Sequence, residues 1–324
     1  MLYALLTAAL LVSPQSAPAA QTAPASQDPV RLEDVVVDAR RLEDTTEAYV
    51  DQVAAPARRR GLARWKDGMC VGVVNLEREA AQYLADRVSD VARDLGLRAH
   101  EPGCHPSVLI VATSDGPGFT EQFVAMRPRL FRVGGAGMDR GSAELRDFVS
   151  EERPVRWWHV SLPVDSETGD PVVRMPGYIS GSGAAGTLED TAQQYAPQTR
   201  VQIPSRLNDQ TEDILKRVFI IIDVDQLNGA SIEQLGDYVA MVAMAQVDPD
   251  ADTGQFDTIL NLFGDPATAP TGLTGWDRAY LDGLYDPNSE THRINQRVQV
   301  QAVAAAIASA YRGSSAEPED LEQP

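Results

Sequence analysis

Residues 218–247, VFIIIDVDQLNGASIEQLGDYVAMVAMAQV, constrain the fold more than any other stretch of the chain. Residues 217–224 form an unbroken β-branched and aromatic run, which predicts a strand buried on both faces. Asp223, Asp225, Asn228 and Gly229 then supply turn chemistry. Ser231 with Gln234 three residues later is a capping box, so a helix starts there, and over residues 239–245 it is apolar on every side. A central strand feeding a buried helix defines the heart of a sizeable core. No side chain on that helix is an evident nucleophile or metal ligand.

Charge removes several function classes. The formal net charge is -19 and the pI near 4.5, and a chain that repels polyanions is a poor partner for nucleic acid. Anionic lipid surfaces are disfavoured for the same reason. Arg58, Arg59 and Arg60 with Arg64 and Lys66 form the one basic cluster, expected to be the solvated face of a linker.

Residues 2–12 are an apolar run of signal-peptide length, followed by Ala17-Pro18-Ala19, small residues of the kind a signal peptidase reads. Export to the periplasm or medium is expected, with residues 1–19 as signal peptide. The absence of Lys or Arg ahead of Leu2 points to a start upstream. Beyond this run, no apolar stretch approaches the ~18 residues a membrane-spanning helix needs.

Cys70 and Cys104 both stand near predicted strands, and in an oxidising compartment the economical expectation is one disulfide. A reactive thiol or metal ligand is the alternative, since His105 follows Cys104 directly. The remaining organisation is a flexible N-terminal arm over residues 20–64, a single α+β domain over 65–312 and a disordered acidic tail over 313–324. Within the domain, residues 69–76, 77–95 and 108–113 read as strand, amphipathic helix and strand, a βαβ-type unit. Short helices are expected near 119–126 and 144–149, and longer ones at 275–285 and 292–311. Residues 155–164 alternate as a strand, with Trp157, His159 and Ser161 on one face and Arg156, Trp158 and Val160 on the other.

Several constellations invite chemistry. Gly181, Gly183 and Gly186 match the dinucleotide fingerprint by letters, but Pro176 and Gly177 replace the strand that motif requires, so a loop is expected. Asp248, Asp250 and Asp252 alternate after the core helix, an arrangement of hard oxygens suited to Ca²⁺. Thr253 and Ile259 break the EF-hand pattern, and a solvated capping turn is the competing expectation. Asp223 and Asp225 read as strand-end turn residues. The four histidines, His100, His105, His159 and His292, show no paired ligand spacing, and no Gly-x-Ser-x-Gly elbow is present.

The blocks WKDGMCVGVVNL, PVRWWHV, ILNLFGDP and LTGWDRAYLDGLYDP, in that order around the core segment, resemble a family of exported Gram-negative proteins to which no activity attaches. The latter half is similar to envelope proteins with a zincin-like layout, in which a strand leads into an active-site helix. That resemblance implies a metal site where this helix carries Asp237 and Tyr238 and no histidine, so the hydrolytic centre is expected to be missing. Residues 32–41 also resemble the strand-forming box of TonB-dependent receptors, captured by strand addition through Val35, Val36 and Val37.

These observations predict an α+β fold, a mixed β-sheet flanked by helices, with a central buried helix over 231–247. The leading functional expectation is a non-enzymatic envelope protein that binds a protein or cell-wall partner, with no cofactor. One alternative is a hydrolase drawing on Asp237, Tyr238, His159 or a Ca²⁺ ion held by Asp248, Asp250 and Asp252. Another is an accessory of TonB-dependent uptake.

Overall fold

A computed structural model describes residues 32–57, 60–66, 68–132, 139–166, 168–172, 211–286 and 296–315. The chain divides into two units, residues 1–39 and residues 40–324. The elements are α1 (Leu32–Val53), β1 (Val71–Val74), α2 (Arg78–Asp94), β2 (Val108–Thr113), α3 (Gly116–Met126), α4 (Pro128–Phe131), α5 (Ser142–Ser150), β3 (Val155–Asp165), β4 (Thr211–Asp223), α6 (Ile232–Met244), α7 (Gly275–Tyr285) and α8 (Gln296–Ser315).

The four strands form one mixed sheet in the order β1-β2-β4-β3. β1, β2 and β4 run parallel, and β3 pairs antiparallel with β4, so the fold is α+β with helices on both faces. Alternation along β4 explains the layering, because successive side chains leave a strand on opposite sides. Val218, Ile220 and Ile222 enter a core shared with α2, α6, α7 and α8, while Phe219 and Ile221 enter a second core with Phe131 and Phe148. β3 divides the same way, with Val155 and Trp157 in the first core and Trp158 and Val160 in the second. The α2 crossover between β1 and β2 is the expected βαβ unit.

The capping box forms as the sequence indicates: Gln234 N–H donates to Ser231 Oγ at 3.2 Å, and Ser231 N–H donates to Gln234 Oε1 at 2.9 Å. Every residue from 235 to 244 is buried, so α6 is the central helix. α7 and α8 touch closely at Gly283, where a Cβ would lie 2.7 Å from that of Ala306.

Three expectations are corrected. The arm is not flexible throughout, for α1 replaces the extended segment expected around Val35, Val36 and Val37. Thr46, Tyr49, Val50 and Val53 recur at three- and four-residue spacing and are fully buried, so tertiary packing of this stripe overrides the local β-propensity upstream. Ala55, Ala57, Leu62 and Ala63 are buried too, which places the start of the folded domain well before Trp65. A helix offers no free main-chain edge, so capture of residues 32–41 by strand addition would require α1 to unwind there. Secondly, the described members of the basic cluster do not stand free: Arg60 meets Asp213 at 3.3 Å, and Arg64 and the exposed Lys66 pair with Glu212 at the start of β4, while Arg58 and Arg59 lie outside the described residues. Thirdly, α8 continues through residues 313–315, ahead of the acidic tail. The signal segment, the glycine motif at 181–186, His292 and residues 316–324 lie outside the described residues.

The disulfide joins Cys70 to Cys104 across a Cα separation of 6.1 Å, tying the entry to β1 to the loop before β2. No helix among the described residues is long and apolar enough to cross a membrane.

Candidate functional site

β3 is the last strand of the sheet, and on its outer side the described pairing lies near its C-terminal end, where Val172 N–H donates to Pro163 O at 3.1 Å and Val164 bridges Pro171. Asp223 N–H donates to Pro154 O at 2.8 Å, and Arg156, Trp158 and Val160 stand opposite Ile221, Phe219 and Arg217. The main-chain groups of these alternate residues face β4. Val155, Trp157 and His159 therefore turn their N–H and C=O groups outward. No hydrogen bond joins those groups to another segment among the described residues, although all three residues are buried. Buried main-chain polar groups are nearly always paired, so these outward groups are an exception among the described residues.

The side chains of the strand are firmly held. Trp157 Nε1–H donates to Val247 O at 2.9 Å, and Trp158 Nε1–H to Phe131 O at 2.9 Å on the opposite face. Arg156 Nη1 donates to Phe148 O and Val149 O, both at 3.0 Å. His159 Nε2 lies 2.8 Å from Val242 O, and since a carbonyl only accepts, Nε2 carries the proton. Burial pushes the His159 pKa down to about 4; the Val242 bond opposes this and Arg140 adds to it. The ring is neutral, with Nδ1 as its remaining acceptor.

Two arginines close over the edge. Arg140 Nη2 lies 2.9 Å from Glu144 Oε2 on α5 and 3.0 Å from Asp248 Oδ1 beyond α6. Arg153 pairs with Glu151 and Asp250 and donates to Pro249 O. These contacts bridge the helical layers on either side of β3. The cleft beneath them, lined by Asp147, Trp157, Trp158 and His159 among others, has a volume of about 20 Å³, room for one water molecule.

Of the residues singled out from sequence, His159, Asp248 and Asp250 meet at this edge, and Asp252 follows in the adjoining turn, exposed. Asp237 and Tyr238 lie in α6 and are each engaged in packing or hydrogen bonding. Asp237 accepts from Arg87 Nε and from Leu273 N–H at 2.7 Å, tying α6 to α2 and to the loop before α7. Tyr238 packs edge-on against Phe263 and Trp157, with ring centroids 5.0 and 6.0 Å away, and burial pushes its phenol well above its usual range. Asp223 acts as turn chemistry, accepting from Gly116 N–H at 3.0 Å and Asp225 N–H at 3.2 Å. Among the described residues, no group of three or more His, Cys, Asp or Glu side chains is arranged to hold a metal ion.

Sequence reasoning missed Arg140 and Arg153, whose partners at 248 and 250 are distant in the chain. The density of Asp after α6 was the available signal, because closely spaced carboxylates repel one another and favour cations nearby. Comparison with family models, curated proteins and solved structures finds no match for this chain.

Proposed function

We propose that this chain is an exported, non-enzymatic protein of the cell envelope that binds a protein partner along the outer edge of β3. The observation that carries the reading is the row of outward main-chain groups at Val155, Trp157 and His159, for which no partner is found among the described residues. Main-chain groups of this kind are matched by another polypeptide more completely than by a polysaccharide. The resemblance to exported Gram-negative proteins and the apolar segment at residues 2–12 support the compartment.

The rival, a hydrolase, is less well supported. Asp237 is engaged by Arg87 and Leu273, Asp248 by Arg140 and Asp250 by Arg153, so each carboxylate already holds a cation. The link to zincin-like envelope proteins rests on the sequence blocks, and in this proposal the scaffold works by shape.

A photo-crosslinking residue at Asp147, beside the cleft, tests the reading against the same residue at Asp86, exposed on α2. In envelope extracts, a discrete partner is expected from position 147 and not from 86. Equal labelling from both, or none from either, contradicts it.

A further inference from the structure

We infer that the turn between β4 and α6 is a self-modification site, at which Asn228 and Gly229 form a cyclic imide that opens to aspartate or isoaspartate and so alters the link to the central helix.

The turn selects the reactive pair. The chain reverses from the carboxyl end of β4 into α6 with Asn228 at φ 51° and Gly229 at φ 82°. Left-handed backbone admits glycine freely and favours asparagine among the other residues. Their succession is chemically labile, because a glycine nitrogen is the least hindered main-chain nucleophile a neighbouring side-chain amide can meet.

Nothing described shields that nitrogen. Both residues are exposed, and a Cβ on Gly229 would meet nothing within 4 Å. Among the described residues, no hydrogen bond engages the Asn228 side chain or the Gly229 N–H; the turn closes one residue later, where Ala230 N–H donates to Leu227 O at 3.0 Å. Two other asparagines supply the contrast. Asn75 is also left-handed, at φ 62°, but its Nδ2 donates to Ala112 O at 2.7 Å and bulky Leu76 follows it. Asn261 donates from Nδ2 to Thr253 O and Phe256 O and precedes Leu262.

The chemistry balances without an oxidant or a cofactor. Gly229 N gives its proton to base and attacks Asn228 Cγ. The new N–Cγ bond closes the imide as the Cγ–Nδ2 bond breaks and ammonia leaves. Water then cleaves either bond to the imide nitrogen. Cleavage at Cγ leaves an ordinary aspartate, whereas cleavage at the main-chain carbonyl routes the chain through Cβ and Cγ as isoaspartate. Both products add a negative charge, and isoaspartate also adds a carbon to the main chain. Leu227 and Ala230 pack against the main core and Ser231 caps α6, so the extra length falls on the cap of the buried helix.

The test ages the full chain in mildly acidic and mildly alkaline buffer and maps it by mass spectrometry. The tryptic peptide 218–278 holds Asn228 and Asn261 together, an internal comparison. Replacement of the amide by a carboxyl is expected at Asn228 at least about tenfold faster than at Asn75 or Asn261, and faster in the alkaline buffer. The folded chain is expected to react within about tenfold of the synthetic peptide QLNGASI, as an exposed turn of low local stability allows. Isoaspartyl methyltransferase is expected to label aged protein but not Asn228→Ser, and the aged protein to melt at a lower temperature than fresh. Freshly prepared Asn228→Asp, which adds the charge without the extra atom, is expected to keep the melting temperature of fresh protein. Comparing fresh with aged wild type needs no variant, so a misfolded Asn228→Ser leaves the test intact. Equal rates at the three asparagines, or a folded chain far slower than the peptide, overturns the site. Aspartate without isoaspartate overturns the imide, and isoaspartate without a change in melting overturns the link to α6.

Discussion

His159 on β3 donates its Nε2–H to the carbonyl of Val242 on α6 at 2.8 Å, joining the outer strand to the central helix from inside the core. The consequence is a pH dependence of definite sign. The folded-state pKa is lowered to about 4 from an ordinary 6.5, so the unfolded chain takes up a proton that the folded chain refuses. Stability is full above 6.5 and falls as the pH drops towards about 4, by roughly 3 kcal/mol at 1.36 kcal/mol per unit. Burial raises the carboxyls of Asp213 and Asp277, which act in the opposite direction. The comparison that isolates His159 is with His159→Gln, which keeps a donor for Val242 O. Urea unfolding from pH 7 to 4 is expected to show the extra loss in the wild type only, and parallel profiles would count against this account.

Asp237 predicts a structural penalty. Asp237→Ala leaves Arg87 and the Leu273 N–H without their acceptor and is expected to cost roughly 2–4 kcal/mol. Asp237→Asn keeps an acceptor for Leu273 and should lose about half as much. Denaturant midpoints check both, and an unchanged midpoint for the alanine variant would show that the carboxylate is not holding α6 in place.

Tyr49 tests whether α1 belongs to the domain. Its ring packs on Phe256 and Trp276 at centroid distances of 5.1 and 5.3 Å, and its hydroxyl donates to Asp277 Oδ1 at 3.2 Å. Tyr49→Phe should cost about 1 kcal/mol and Tyr49→Ala about 3–5 kcal/mol. A dispensable arm would tolerate both, and thermal unfolding distinguishes the two cases.

The Cys70–Cys104 bridge closes a loop with a sequence separation of 34, for which chain entropy gives roughly 3–4 kcal/mol. Cys70→Ala/Cys104→Ala should lose that much in non-reducing buffer, and dithiothreitol should narrow the gap between variant and wild type. Equal stability before reduction would mean the bridge contributes nothing.

Local signals made much of this architecture readable. β2 and α7 coincide with the runs at 108–113 and 275–285, and the Ser231 capping box and the two faces of β3 follow from spacing alone. α1 was hidden because its anchoring stripe of Tyr49, Val50 and Val53 sits after a polar stretch, while Val35, Val36 and Val37 favour a strand locally. The candidate site was only partly legible. His159, Asp248 and Asp250 stood out by residue type, but that β3 lies at the edge depends on the order β1-β2-β4-β3, a matter of long-range pairing. Arg140 and Arg153 looked like ordinary surface charges until the turn after α6 was brought beside them.

Amide exchange at single-residue resolution along β3 of the unliganded protein tests the central claim most directly. Val155, Trp157 and His159 are expected to exchange at least about tenfold faster than Arg156, Trp158 and Val160, whose main-chain groups face β4. Equal, strong protection across all six would mean that the outer side of β3 already has its partner, and the proposed site would not exist.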